Sequence, residues 1–314
     1  MPLATLPVGP GELPAFLAYS EAFGRLHDES FLPGADFVAD GDRPSYLLVD
    51  TEGGGKPLGA VSLLLTRRFL AGGRGRFALL HSVDGGRAGY RLLLTRALEA
   101  AKRRVTELYL FLPAGLGSPR DHLEEVGFVL ERNAYLLGAD SIDAPPPELP
   151  PGYSFASVRR GDTAALEAFT AVRNRNFAEV LGSLPSAIAD WEEVLAGSEV
   201  LDGGLILLVS PGGEACGTLL LERDEEPGAV FLGAISVDAA RRGRGLGRAL
   251  VREALSRARA AGFVKAYLSV NALNDRALRL YTSEGFVERR TMSCLAVSLD
   301  RLEAALAPDS GSAT

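Results

Sequence analysis

Apolar positions recur at helical spacing across residues 244–261, where Leu250, Val251, Ala254, Leu255 and Ala258 form one stripe. The run before it, Ala229-Val-Phe-Leu-Gly-Ala-Ile-Ser-Val237, is continuous and of strand length. The same reading predicts, in the N-terminal half, a helix near 11–24 and strands at 46–50, 58–65 and 77–83. A helix at about 90–104, a strand at 108–112, a short helix and a strand near 128–137 follow. The C-terminal half predicts a strand at 153–158, helices at 162–176 and 185–196, and strands at 204–210, 214–222 and 229–237. The helix at 244–261 then precedes a strand at 265–270, a helix at 274–284 and a strand near 286–298.

Between the halves lies Asp143-Ala-Pro-Pro-Pro-Glu-Leu-Pro-Pro-Gly152. Its prolines remove backbone donors and force extended conformations, so it reads as a semi-rigid linker. The halves share one plan. Tyr109-Leu-Phe-Leu matches Tyr267-Leu-Ser-Val at an offset of 158, and Gly127-Phe-Val matches Gly285-Phe-Val at that same offset. Ser82-Val-Asp matches Ser236-Val-Asp at 154, so the N-terminal copy lacks four residues between Asp84 and Tyr109. The expected domains are 1–142, the linker 143–152, 153–306, and a disordered tail 307–314.

Composition narrows the options. A net charge of -7 and a pI near 5.2 argue against nucleic acid as the main partner. No apolar run is long enough to cross a membrane, and no basic start leads into an apolar stretch, so a soluble cytoplasmic protein is expected. Cys216 and Cys294 are far apart in strand-like contexts and read as packed thiols. His27, His81 and His122 all lie in the N-terminal half, which leaves no Cys/His metal site.

The segment Ala239-Ala-Arg-Arg-Gly-Arg-Gly-Leu-Gly247 joins the apolar strand to the amphipathic helix. Glycines let the backbone approach a ligand, successive N–H groups form a concavity, and the helix N-terminus adds partial positive charge. Arg241, Arg242, Arg244 and Arg248 add full charge, so a pyrophosphate is the natural guest. Neither the dinucleotide fingerprint nor a P-loop is met. Downstream, directly after a strand, stands Asn271-Ala-Leu-Asn274-Asp-Arg-Ala277-Leu-Arg-Leu280-Tyr281-Thr-Ser-Glu-Gly285-Phe286.

Arg242-Gly-Arg-Gly245-Leu-Gly247, an R-x-x-G-x-G pattern, resembles the coenzyme A loop of the GCN5-related N-acetyltransferase (GNAT) family, and the downstream segment resembles that family's second motif. The resemblance covers about 153–300 well, and 1–140 through layout alone. It implies an α/β fold of two tandem acyl-CoA N-acyltransferase domains, each a mixed, mostly antiparallel sheet with helices on both faces. It implies that Ile235, Ser236 and Val237 meet the pantetheine arm and acetyl carbonyl of acetyl-CoA through their backbone. Arg242, Gly243, Arg244, Gly245, Leu246, Gly247, Arg248 and Ala249 would hold the pyrophosphate. Asn274 would bond the pantetheine, with Ala277 beside it, and Tyr281 would stand by the sulfur as general acid. The tandem layout also resembles that of the mycothiol synthases, whose C-terminal half is active.

Acyl transfer from a thioester needs orientation, an oxyanion donor and a proton for the thiolate. The backbone N–H of Val237 and the phenol of Tyr281 suit the last two. The apolar strand holds no acid, so the general base is open among Glu222, Asp224, Glu225, Glu226 and a water held by Ser236, Ser269 or Asn271. Arg173-Asn-Arg-Asn176 reads either as the acceptor's entry or as a polar helix end. In the N-terminal copy Pro113, Leu116 and Leu123 stand where Asn271, Asn274 and Tyr281 stand, so that copy reads as degenerate. The expectation is direct acetyl transfer from acetyl-CoA to a small-molecule primary amine, without metal, by a monomer or homodimer. The alternatives are a non-catalytic coenzyme A-responsive regulatory protein and a protein or peptide N-acetyltransferase.

Overall fold

The computed structural model describes residues 2–26, 31–52, 54–83, 86–224 and 226–307. In chain order the first elements are β1 (Leu3–Pro7), α1 (Leu13–Phe23), β2 (Ser45–Asp50), β3 (Pro57–Leu64) and α2 (Arg67–Ala71). Then come β4 (Arg74–Ser82), α3 (Arg87–Ala101), β5 (Glu107–Pro113), α4 (Gly117–Glu125) and β6 (Val129–Ala139). The second series is β7 (Ser154–Ser157), α5 (Thr163–Phe177), α6 (Ile188–Ala196), β8 (Val200–Val209), β9 (Ala215–Arg223) and β10 (Ala229–Val237). It ends with α7 (Leu246–Ala260), β11 (Lys265–Asn271), α8 (Asp275–Ser283), β12 (Val287–Ser298) and α9 (Leu299–Leu306). The periodicity reading placed most of these within a few residues. It missed β1, a five-residue strand, and the short helices α2 and α9. The tail from 308 onward lies outside the described residues.

Two compact units emerge, and they are not the two halves of the sequence. One is Met1–Asn133 with Met292–Thr314, the other Ala134–Thr291. The first unit orders its strands β1-β2-β3-β4-β5-β12, antiparallel except for β4 beside β5. The second orders them β6-β11-β10-β9-β8-β7, antiparallel except for β10 beside β11. Each half therefore gives its last strand to the other unit's sheet. Leu295 and Val297 of β12 fill the first unit's core, while Leu137 and Ala139 of β6 fill the second's. Both strands carry apolar positions at period two. That pattern fixes which face is buried, and it leaves the partner strand open.

The expected linker also behaves differently. Residues 141–150 form neither helix nor strand, as the prolines require. Yet Ile142, Ala144 and Leu149 pack into the second unit's main core, and Asp143 pairs with Arg259 of α7 at 3.2 Å. The segment is part of the second unit's surface.

In that unit α7 and α8 cover one face of the sheet, with Leu246, Leu250, Leu255 and Tyr281 in one cluster. Helices α5 and α6 cover the other through Phe169, Trp191, Leu205 and Leu220. Asp162 caps α5 by accepting from Ala165 N at 3.0 Å. Trp191 stands edge-on to Phe169 at 4.9 Å, which makes it a core residue. Phe169 is fully buried. Phe169→Ala is expected to cost about 3–5 kcal/mol in the transition that unfolds this unit, measured by chemical denaturation.

Candidate active site

Strands β10 and β11 are hydrogen-bonded in parallel only from Ala229↔Lys265 to Phe231↔Tyr267. Beyond that pair each runs on, to Val237 and to Asn271. Their facing edges part, and a wedge opens at the strands' C-terminal ends. A register shift between Gly233 and Ser236 marks a bulge in β10, where Ala234 takes φ 49°. Asp238 N donates to Cys216 O at 2.8 Å, so the neighbouring pair Val237↔Gly217 is the non-hydrogen-bonded kind. The N–H and C=O of Val237 therefore point away from β9, toward the wedge. Arg242 Nε already donates to that carbonyl at 2.9 Å. Ser236 is turned the other way. Its hydroxyl meets Thr218 Oγ1 at 2.7 Å and Asn176 Nδ2 at 3.1 Å on the α5 face. Ile235 and Val237 side chains pack on the α7–α8 face.

A 3-10 turn, Ala239–Arg241, leads into the glycine loop. Gly243 and Gly245 both adopt φ 82°, the region that favours glycine, and a Cβ on either would meet nothing. Conformation, not crowding, requires them. Gly245 caps α7 without a side chain, which leaves the N–H groups of Leu246, Gly247 and Arg248 without an intrahelical acceptor. Ala249 differs from the expectation. Its N–H donates to Gly245 O at 3.0 Å and its methyl is buried, so it packs the helix and has no donor to offer a phosphate.

The arginines divide into engaged and open. Arg241 is hydrogen-bonded to Tyr153 and paired with Glu214 at 2.7 Å, and these contacts raise its pKa. Arg248 is drawn to α8, to Glu284 at 2.8 Å and Ser283 at 3.2 Å. Arg252 shares the nearly buried Glu284 at 2.8 Å, so the pair clamps α7 to α8. Arg244 makes no ion pair or hydrogen bond among the described residues.

Asn274 caps α8 by accepting from Ala277 N at 3.2 Å, which leaves its amide NH2 as a spare donor. Asn271 Oδ1 holds Leu273 N at 2.9 Å, as a strand-end turn residue does. Tyr281 is buried in the cluster that also takes Leu246, Ala277, Ile235 and Val237. Desolvation pushes its phenol up to about 12, so it holds its proton at neutral pH.

The other face carries the carboxylates. Asp224 Oδ1 accepts from Glu226 N at 2.9 Å within its turn. Lys265 and the Tyr267 hydroxyl bind Glu226 and hold its carboxyl below the usual range. Glu225 lies outside the described residues. Glu222 stands opposite Phe231, at the last rung of the β10–β11 ladder. Its Oε2 lies 3.6 Å from where a Cβ on Gly233 would be, beside the bulge. Leu219 and Leu221 point to the α7 face, so Glu222, like Leu220, points to the α5 face.

Arg173-Asn-Arg-Asn176 does two jobs. Arg173 bonds Leu184 O, and Asn174 exchanges bonds with Ser186, which fixes the loop after α5. Arg175 donates to both carboxylate oxygens of Asp238, at 2.8 and 3.0 Å, and Asn176 reaches Ser236. A cavity of about 370 Å³ lies here, lined by Arg175, Asn176, Glu179, Asp238 and Arg242. Periodicity had no means of finding Glu179 or the cavity. Among the described residues no group of His, Cys, Asp and Glu could hold a metal ion, and no helix is long and apolar enough to cross a membrane.

In the first unit the parallel β4–β5 ladder likewise ends, at Arg76↔Tyr109. There Arg76 is buried, with its guanidinium 5.1 Å from the Phe111 ring of β5 and 4.3 Å from Phe31. Leu116 is the N-cap of α4, where a side chain cannot bond, and Leu123 is buried.

Residues 167–286 match the model of the Acetyltransferase (GNAT) family. This stretch of the chain is GNAT-like. The match spans the wedge, the glycine loop and α8, and it begins within α5. Solved structures extend the likeness in fold over nearly the whole length of the chain. The GCN5-related N-acetyltransferase from Sphaerobacter thermophilus shares 21% identity at a TM-score of 0.72, covering 95% of this chain and 96% of that one. A tandem GNAT protein from the clavulanic acid biosynthesis pathway shares 15% at 0.69, covering 95% and 99%. The glucosamine N-acetyltransferase region of a fungal multi-domain β-N-acetylglucosaminidase shares 15% at 0.68, covering 94% of this chain and 38% of that one. These likenesses show a tandem GNAT fold. No curated protein matches the sequence significantly.

Proposed function

We propose that the protein is an acetyl-CoA-dependent N-acetyltransferase acting on a primary amine of a small molecule, with the second unit as the active one. The parting of β10 and β11 beside the glycine loop carries this reading. It leaves strand donors, unspanned helix N–H groups and open guanidiniums around one opening, which suits a long phosphorylated thioester. Bound acetyl-CoA supplies the activated acetyl group. Its pyrophosphate would lie on the N–H groups of Gly243 to Arg248, and its pantetheine along Val237 and Asn274.

The chain's own groups then divide the work between the two faces of the sheet. Val237 N–H is the oxyanion donor. Tyr281, on the α7–α8 face, gives its proton to the departing thiolate. Glu222, on the α5 face, takes a proton from the incoming ammonium, which makes the amine a nucleophile. The cavity of about 370 Å³ beside Asn176 and Asp238 is sized for a small acceptor. In the first unit Arg76 lies against Phe111 where the β4–β5 ladder ends, and leucines stand in place of Asn274 and Tyr281, which supports one active unit.

The test is turnover. Purified protein with acetyl-CoA is offered amino acids, amino sugars, polyamines and a lysine peptide, and thiol release is followed. Acetylation of a small amine, with one acetyl-CoA bound per chain by calorimetry, is the expected result. Modification of the peptide alone would favour a protein-modifying enzyme. Binding without turnover would favour a regulatory module.

A further inference from the structure

The charge around the glycine loop exceeds what a pyrophosphate needs. Helix α7 follows β10 and α8 follows β11, and these two strands are parallel neighbours. Both helices therefore start at the same end of the sheet. Their contacts run in step. Gly247 lies against Leu280, with a Cβ there 3.2 Å from Leu280 Cδ2, and Arg248 and Arg252 meet Ser283 and Glu284 further along. One turn back toward both N-termini stand Arg244 and Arg276. Arg276, Leu280 and Ser283 are spaced i, i+4 and i+7, so Arg276 shares the α8 face that meets α7. Both arginines are exposed and make no ion pair or hydrogen bond among the described residues. Of the other guanidiniums nearby, Arg241 is committed to Glu214, Arg248 to Glu284 and Arg242 through Nε to Val237 O, while Arg279, exposed three residues along α8 from Arg276, is open as well.

A pyrophosphate diester already has the loop N–H groups and the α7 N-terminus. Two further open guanidiniums at the mouth, next to a second helix N-terminus, fit a phosphate monoester. Such a group carries about -1.5 to -2 charges at neutral pH. We infer that Arg276, with Arg244, reads the 3′-phosphate of coenzyme A and so makes the site selective for it over the dephosphorylated form. This rests on the acetyl-CoA reading of the loop.

Calorimetric titration of coenzyme A and of 3′-dephospho-coenzyme A into the wild type, Arg276→Gln and Arg244→Gln tests it. The wild type is expected to favour coenzyme A by about ten-fold or more, the effect of one charge-assisted contact. Arg276→Gln is expected to weaken coenzyme A by most of that factor, while the dephosphorylated ligand stays within about two-fold. Equal binding of both ligands by the wild type overturns the assignment. So does an Arg276→Gln protein that weakens both ligands by the same factor. If neither ligand binds the wild type, the acetyl-CoA reading falls with it. In the other two failures that reading stands.

Discussion

Tyr281→Phe is expected to lower kcat by about 10²-fold while leaving the affinity for acetyl-CoA within about two-fold. The ring is buried beside Leu246, Ala277 and Phe286, and phenylalanine keeps that packing. Only the hydroxyl is lost. Its pKa, about 12 through desolvation, fixes the sign of its pH behaviour. The neutral phenol is the form that donates, and it persists until the pH approaches that value. Loss of the acid through ionisation of Tyr281 should therefore not appear in kcat below about pH 11. A falling limb near pH 8 that vanishes in Tyr281→Phe would contradict the assignment. So would a variant with unchanged kcat. An unchanged thermal melt for the variant separates chemistry from folding.

The fold and the loop were legible in the sequence to different depths. The glycine loop follows from local chemistry, because positive φ at Gly243 and Gly245 and a helix start just after them are nearest-neighbour properties. The roles of Asn274 and Tyr281 came with the family resemblance, and the structure adds their surroundings: the cap on Ala277 and the dry cluster around the phenol. What lay hidden depends on distant partners. Arg248 looks like any other loop arginine until Glu284 is seen nearly buried beside it. Ser236 looks like a strand-edge residue until the bulge turns it toward Asn176. The exchange of β6 and β12 was equally invisible, since either strand satisfies either sheet's alternation.

The carboxylates show the same limit and lead to the second large effect. Four carboxylate candidates for the base stand within five residues of one another, and spacing cannot rank them. Geometry does. Glu226 is bound by Lys265 and Tyr267, and Asp224 by its own turn. Of the described carboxylates, Glu222 is the one that reaches Gly233 beside the bulge of β10, whatever else its carboxylate bonds. Glu222→Gln keeps the size of the side chain and removes the proton acceptor. Its kcat/KM at neutral pH is expected to fall by about 10²-fold. The deficit should shrink as pH rises, because solvent then supplies the neutral amine that Glu222 would otherwise generate. Below the amine's own pKa, the neutral fraction grows ten-fold per pH unit. The wild-type and variant profiles should therefore converge toward that pKa. Parallel profiles separated by a constant factor would mean that Glu222 only shapes the acceptor pocket. Profiles that coincide at every pH would remove it from the site altogether, and a water ordered near Ser269 would become the acceptor of the proton.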